Sequence, residues 1–292
     1  MSLNGYTTPR TRAGRAGLVP PPPWHYVGDF LVVDFHADPD AATSLLPEGL
    51  EPFADDPGRC AAVFADWQSF SEGGDELTDP ARSQYKEFYL VVNALLDGAP
   101  VTYCTFIWVD QDFAMARGWI QGFPKKLGQV WMTRAYNLDV PAAVGTGAGS
   151  AFGATCHARG RQVARARVTL EAKSDSGSLH TDPPIVNVRH FPRLAAGRHD
   201  DPQVHELVRS RSRDRAVSEI WEGDAELELL AAPGEEHTLL SPVDVARGYR
   251  FTFGYTVDDL ETVKELAKAS PDGSASGRKL AQGLASAAEG GA

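Results

Sequence analysis

Cysteine is scarce in this chain. Cys60, Cys104 and Cys156 are too few and too scattered for a disulfide framework or a zinc knuckle. They are expected as small buried hydrophobes in a reducing compartment. Long apolar runs are missing too, and nothing approaches the roughly 18 residues that cross a bilayer. Arg10, Arg12 and Arg15 near the start have no apolar stretch behind them, so they do not make a secretory signal. Positive charge is outweighed, with 28 Lys and Arg against 39 Asp and Glu and a net charge of −11. A chain this acidic is poorly suited to neutralising the phosphates of a polyanion. Nucleic acid and membrane are therefore set aside as partners, and a cytoplasmic protein is expected.

Several chemical motifs are absent as well. There is no C-x-x-C, H-E-x-x-H or G-x-S-x-G. Gly145, Gly147, Gly149 and Gly153 do not complete G-x-G-x-x-G, because position 150 is Ser, and no Gly-Lys-Ser/Thr follows. Cys156 and His157 are adjacent in a strand-like run, where neighbours face opposite ways, so they make a poor nucleophile–base pair. No metal and no cofactor is expected.

What remains is an ordinary globular composition, 42% hydrophobic and 23% charged over 292 residues. That length fits one large domain or two small ones and allows a sizeable core. Residues 1–22 run into four consecutive prolines and read as an extended, flexible leading segment. Residues 23–267 hold nearly all the regular patterning and read as one catalytic domain. Residues 268–292 are mostly Gly, Ala and Ser and read as a mobile tail, with a short helix near Leu280 as the competing reading.

Strand signals dominate the body. Phe30–Val33, Cys60–Phe64, Phe88–Val92 and Val101–Val109 are short apolar runs bounded by turn residues. Ala164, Ala166, Val168 and Leu170 alternate with polar neighbours, which predicts a strand with one wet face. Arg209, Arg211, Arg213 and Arg215 alternate in the same way and read as a solvated strand face. Helices are few. Asp38-Pro39 caps a short one that stops before Pro47. Thr256–Asp259 reads as another helix start, with Leu260, Val263 and Leu266 on one face. The fold class is mainly β, of α+β type.

The segment with chemical content is Arg117-Gly-Trp-Ile-Gln-Gly-Phe-Pro-Lys125-Lys126-Leu-Gly128. Two surface lysines in a turn are the plain reading. The chemical reading starts from the ordinary lysine pKa near 10.4, which leaves no free amine at neutral pH. An apolar pocket or a second cation penalises the ammonium and frees the amine. A free amine attacks a ketone to form an imine, and the protonated imine is an electron sink.

This segment resembles the aromatic-Pro-Lys-Lys-Leu-Gly motif of the acetoacetate decarboxylase superfamily. Asp38–Leu50 resembles the family's early helix with its Leu-Pro turn, and Tyr85-Lys-Glu87 resembles its Tyr-x-Glu segment. The likeness extends over about residues 24–266. It implies a closed, cone-like antiparallel β-barrel with a few flanking helices, a homo-oligomer, and a small keto acid as substrate. Lys125 is then the imine-forming lysine and Lys126 its pKa-modulating cationic neighbour, although adjacent strand residues need not touch. Glu87 is the pocket carboxylate that moves protons. Gly248–Thr256 resembles a C-terminal segment that lends the pocket a tyrosine, either Tyr255 or Tyr249. Gln121, Tyr85, Arg117 and Phe123 are the candidate substrate contacts.

Two departures from the family pattern matter. The arginine that holds the substrate carboxylate in the decarboxylases falls near Gly28 here, and an early second carboxylate has Asp66 as its nearest candidate. The resemblance then favours imine-based aldol condensation and dehydration of a pyruvate-like keto acid. Decarboxylation of acetoacetate or a related β-keto acid is the alternative. A non-catalytic ligand-binding relative, or a cofactor-free hydrolase or isomerase without an imine, are the rivals from other classes.

Overall fold

The computed structural model describes residues 2–178, 180 and 183–266. The segment 268–292, expected as a tail, lies outside the described residues. The described residues build one sheet of thirteen strands. The first five are β1 (Trp24–His36), β2 (Glu51–Pro52), β3 (Arg59–Ser71), β4 (Gln84–Leu96) and β5 (Ala99–Val109). Next come β6 (Lys125–Leu127), β7 (Gln129–Met132), β8 (Ala151–Ala158) and β9 (Arg161–Lys173). The last four are β10 (Ile185–Phe191), β11 (Val204–Val217), β12 (Trp221–Leu229) and β13 (Asp244–Glu265). Among the described residues, three short α-helices accompany them, α1 (Pro39–Ser44), α2 (Pro80–Ser83) and α3 (Asp112–Ile120), with single 3-10 turns at Asp75–Thr78 and His237–Leu240.

Pairing runs from β1 through β3, β4, β5, β10, β11 and β13, and β13 returns to β1, closing the ring. The early part of β13 also pairs with β12, which leads through β9 and β8 to β7. The strands of the ring therefore separate two cores. Along β1, Phe30 and Val32 face the ring interior, while Leu31, Val33 and Phe35 face the second core. A strand buried on both faces has no polar side to show, which is why this stretch reads as an unbroken apolar run. Trp108, Phe64 and Phe88 are wholly buried in the second core, each worth roughly 1.5–3 kcal/mol of burial.

The expected apolar runs all fall on strands, and the alternating stretch from Ala164 lies on β9 as read. Asp97-Gly98 joins β4 to β5, both at positive φ (50° and 79°), the backbone that a two-residue hairpin needs. The sheet is mixed rather than wholly antiparallel. Ile185 and Val186 pair parallel to Thr102 and Tyr103, and β6 pairs parallel to the end of β5. Both segments reach β5 by crossovers, which permit parallel pairing where a tight hairpin does not.

α1 forms where the cap predicted it. The Asp38 carboxylate accepts from the Ala41 N–H at 2.9 Å, and Pro39 occupies the first turn. The helix expected from Thr256 does not form, because Asp244–Glu265 is a single 22-residue strand. Its register against β11 slips at Asp258 and at Val263. Each slip adds one residue to β13 and breaks the period of two, so that Leu260, Val263 and Leu266 mimic helical spacing. β11 satisfies the backbone from Thr256 onward in place of a helix, with β1 on the other side as far as Val257. The leading segment is partly fastened: Val19 is 1% exposed, and Thr7 Oγ1 bonds both its N–H and its carbonyl.

Candidate active site

Four elements converge on the ring interior. On β4, Tyr85, Glu87 and Tyr89 are two apart and face inward together. On β13, Tyr249, Phe251, Phe253 and Tyr255 do the same. α3 ends at Ile120, and a turn through Gly122 and Phe123 delivers Lys125 at the start of β6. β11 supplies the fourth side.

Lys125 is 8% exposed and Glu87 5%. Lys125 Nζ donates to Glu87 Oε2 at 2.7 Å, and the indole N–H of Trp67 donates to Glu87 Oε1, also at 2.7 Å. Both carboxylate oxygens are thus engaged. The lysine nitrogen lies 5.2 Å from the centre of the Tyr85 ring and 5.7 Å from that of Phe123. Glu87, Gln121, Phe123 and Tyr255 line a small cavity of about 120 Å³, and Lys125 meets that lining through Glu87. Gln121 is tied down by Ser210, whose hydroxyl donates to Oε1 at 3.2 Å. Tyr255 stacks on Tyr26, ring centres 5.1 Å apart. Burial, with Tyr26 and Glu87 nearby, pushes its phenol well above the usual range, so it holds its proton.

The remaining sequence candidates lie elsewhere. Lys126 faces the second core, where it pairs with Glu235 and sits 4.9 Å from the Trp108 ring centre. The strand alternation at β6 separates the two lysines. Tyr249 is outside the cavity, its phenol raised to about 12 mainly by burial, with Asp34 next in effect. Arg117 packs over the Tyr26 ring at 4.7 Å and donates to Ser69 Oγ at 2.8 Å. It lines a different cleft, between the leading segment and residues 69–76. Tyr85 walls Lys125 from behind rather than lining the cavity. Asp66 pairs with Lys86 at 3.5 Å. Among the described residues no group of three or more His, Cys, Asp or Glu could hold a metal, and no helix is long and apolar enough to cross a membrane.

Sequence reasoning missed Trp67, His180, Arg209 and Arg215, which line the cavity. A glycine marks the place of Trp67. A Cβ at Gly28 would stand 2.7 Å from Trp67 Cε3, so the indole occupies the room that a side chain on β1 would need. The position where the family's arginine is expected is thus filled by the ring that binds Glu87.

Gly118 plays the matching part for Lys125. A Cβ there would lie 2.4 Å from Lys125 Cδ and 2.7 Å from Cε. With Tyr85 and Phe123 beside it, the lysine has little space to yield. Gly118→Ala should keep the fold, since alanine favours a helix by about 1 kcal/mol over glycine. It should cut turnover of the keto acid expected from the family resemblance roughly 10²-fold by displacing the amine. Melting temperature and kcat measured on one preparation test the pair of effects; wild-type kcat would refute the displacement.

His180 lines the cavity among aromatic rings, stacked on Phe30 at 5.1 Å with the Tyr89 hydroxyl 3.2 Å from its ring nitrogens. Burial, aided by Arg215, pushes its pKa down to about 4. A neutral folded histidine with an unfolded value near 6.5 contributes its full stability above pH 6.5. As pH falls from about 6.5 toward 4 the unfolded chain takes the proton first. Stability should therefore drop over that window by on the order of 1–3 kcal/mol. His180→Phe should flatten urea midpoints between pH 7 and 4.5; an unchanged slope would refute the assignment.

The comparisons bear on this geometry. The acetoacetate decarboxylase family model matches residues 7–266. The chain is 35% identical to the enduracididine biosynthesis enzyme MppR, solved with the condensation product of pyruvate and imidazole 4-carboxaldehyde. That likeness covers 91% of this chain and 99% of MppR, with a TM-score of 0.85. MppR complexed with pyruvate gives 35% identity and a TM-score of 0.84, over 92% of this chain and 100% of that one. An acetoacetate decarboxylase-like enzyme from Sphingomonas wittichii RW1 is 29% identical, over 90% of this chain and 100% of its own, with a TM-score of 0.82. No curated protein matches the chain. With a family match that spans both cores and the Lys125 cavity, the chain belongs to the acetoacetate decarboxylase family of enzymes.

Proposed function

We propose that this enzyme is a lyase that condenses pyruvate, or a close 2-keto acid, with an aldehyde and dehydrates the adduct through an imine on Lys125. The observation that carries the proposal is the 2.7 Å contact between Lys125 Nζ and Glu87 Oε2 at the buried end of an aromatic-walled cavity. Amine attack requires a neutral lysine, and Glu87 is placed to take the ammonium proton. The amine then adds to the keto carbon, Glu87 returns its proton to the hydroxyl so that it leaves as water, and the protonated imine withdraws electrons from the adjacent methyl group. Loss of a methyl proton to Glu87 gives the enamine. The enamine carbon attacks the aldehyde carbon, a C–C bond forms, and the aldehyde oxygen takes a proton from Tyr255. The Tyr255 phenolate takes the second proton, the hydroxyl leaves as water with the proton held by Glu87, a double bond forms, and hydrolysis of the imine frees Lys125. The complexes of MppR with pyruvate and with a pyruvate–aldehyde condensation product support this choice of substrates.

Decarboxylation of acetoacetate is the competing fate of the same imine. It needs the β-keto acid's carboxylate held for scission, and an unpaired charge in an apolar pocket is costly. Gly28 puts no arginine at the buried end beside Glu87, and the arginines that line the cavity, Arg209 and Arg215, are on β11 at its rim. Borohydride reduction in the presence of pyruvate, read by mass spectrometry, is the direct test. A reduced adduct on the Lys125 peptide is expected, with deuterium entering the pyruvate methyl group and little CO₂ released from acetoacetate. No adduct would favour a ligand-binding relative or an imine-free enzyme, and rapid CO₂ release would restore the decarboxylase reading.

A further inference from the structure

The rim of the cavity carries positive charge that the chemistry of Lys125 and Glu87 does not use. Arg209, Ser210, Ser212 and Arg215, all on β11, line it. A regular strand would send Arg209 and Arg215 to the same face and Ser210 and Ser212 to the other. β11 is not regular there. Its pairing with β13 slips between Arg211 and Ser212 and again between Arg213 and Ala216. At the second slip two residues of β11, Asp214 and Arg215, stand against Tyr255 alone, and Asp214 takes a positive φ of 54°. A bulge of this kind re-aims the side chains beside it. Here it brings Arg215 to the cavity directly across from Tyr255, the guanidinium 5.5 Å from the centre of the Phe253 ring. Arg209 sits further along the rim, 3.0 Å from Glu261.

From this placement we infer that the aldehyde partner bears a carboxylate, which Arg215 holds at the cavity rim while the aldehyde carbon faces the enamine on Lys125. The inference rests on the imine reading above. Lys125 and Glu87 are buried and Arg215 is exposed, so the keto acid bonded to Lys125 occupies the buried end and the rim is left to the second substrate. Tyr255 lies between them, in register with the bulge, where the new alkoxide takes its proton. An arginine gives a carboxylate a fixed two-pronged donor, and the Phe253 ring beside the guanidinium narrows the positions it can take.

The probe pair is succinic semialdehyde and butanal, which share four carbons and differ in the terminal carboxylate. With pyruvate fixed, kcat/KM for succinic semialdehyde should exceed that for butanal by ~10–100-fold, the usual range for a hydrogen bond to a charged group. Arg215→Gln should bring the ratio close to one, and Arg215→Lys should restore part of it. The loss with succinic semialdehyde in Arg215→Gln should exceed any loss in pyruvate methyl deuterium exchange by about tenfold or more. Equal rates for the two aldehydes in the unaltered enzyme, with exchange intact, would overturn the inference and leave the imine reading standing. A parallel loss of exchange in Arg215→Gln would overturn it too, by assigning the arginine to pyruvate's own carboxylate. Absence of exchange in the unaltered enzyme would bring down the imine reading and this inference together.

Discussion

Lys125→Ala should reduce turnover by on the order of 10⁴-fold or more and abolish the borohydride-trapped adduct, because no other amine can replace a covalent nucleophile at that position. Lys126 is on the far face of β6, engaged with Glu235, and cannot reach the cavity lined by Glu87. A structural cost accompanies the loss. Removing one partner of a buried ion pair leaves the other charge uncompensated, typically worth 3–5 kcal/mol. Glu87 keeps its bond from Trp67 and can take a proton, which limits that cost. Lys125→Met, which retains most of the volume, separates the two effects. It should hold more of the wild-type melting temperature than Lys125→Ala while trapping no pyruvate. An adduct in either variant, located by peptide mass, would move the nucleophile elsewhere.

Glu87→Gln carries the second large effect. The amide oxygen can still accept from Trp67, but an NH₂ group then faces Lys125 and cannot receive its proton. Loss of a general base typically costs ~10²–10⁴-fold, and deuterium exchange into the pyruvate methyl should slow by that factor. Trapping should persist on long incubation, since Lys125 remains. Exchange at the wild-type rate would show that another group, with Tyr255 the nearest candidate, removes the methyl proton.

Much of the candidate site was legible because its residues come in short, local patterns. Phe123-Pro-Lys125 marks the lysine, and Tyr85-x-Glu87 puts the carboxylate on the lysine's side of β4 by simple alternation. The same alternation separates Lys125 from Lys126, although no local signal pointed to a partner for Lys126; Glu235 lies 109 residues away. Trp67 was not legible. Its role depends on Gly28 of the neighbouring strand, and only the β1–β3 register sets the two opposite each other. Arg215 is exposed, as the reading of a wet strand face expects, but its place on the cavity rim was not legible, because the bulge beside it is a property of the β11–β13 pair, not of either strand alone.

The sequence by itself determined the strands of both cores, the cap of α1 and the motif that carries Lys125, since apolar period, capping and a contiguous motif are local signals. Tertiary structure decided what depends on two strands at once. It chose strand over helix for Thr256–Glu265, where β11 offered backbone partners along the stretch, β1 at Thr256 and Val257, and bulges disguised the period. It also selected Tyr255 over Tyr249 for the cavity. Both tyrosines face the ring interior, six residues apart on one strand, and differ only in height along it. A side-chain period of two fixes which face a residue takes, whereas its height relative to Lys125 is fixed by the register of four strands that are distant in sequence.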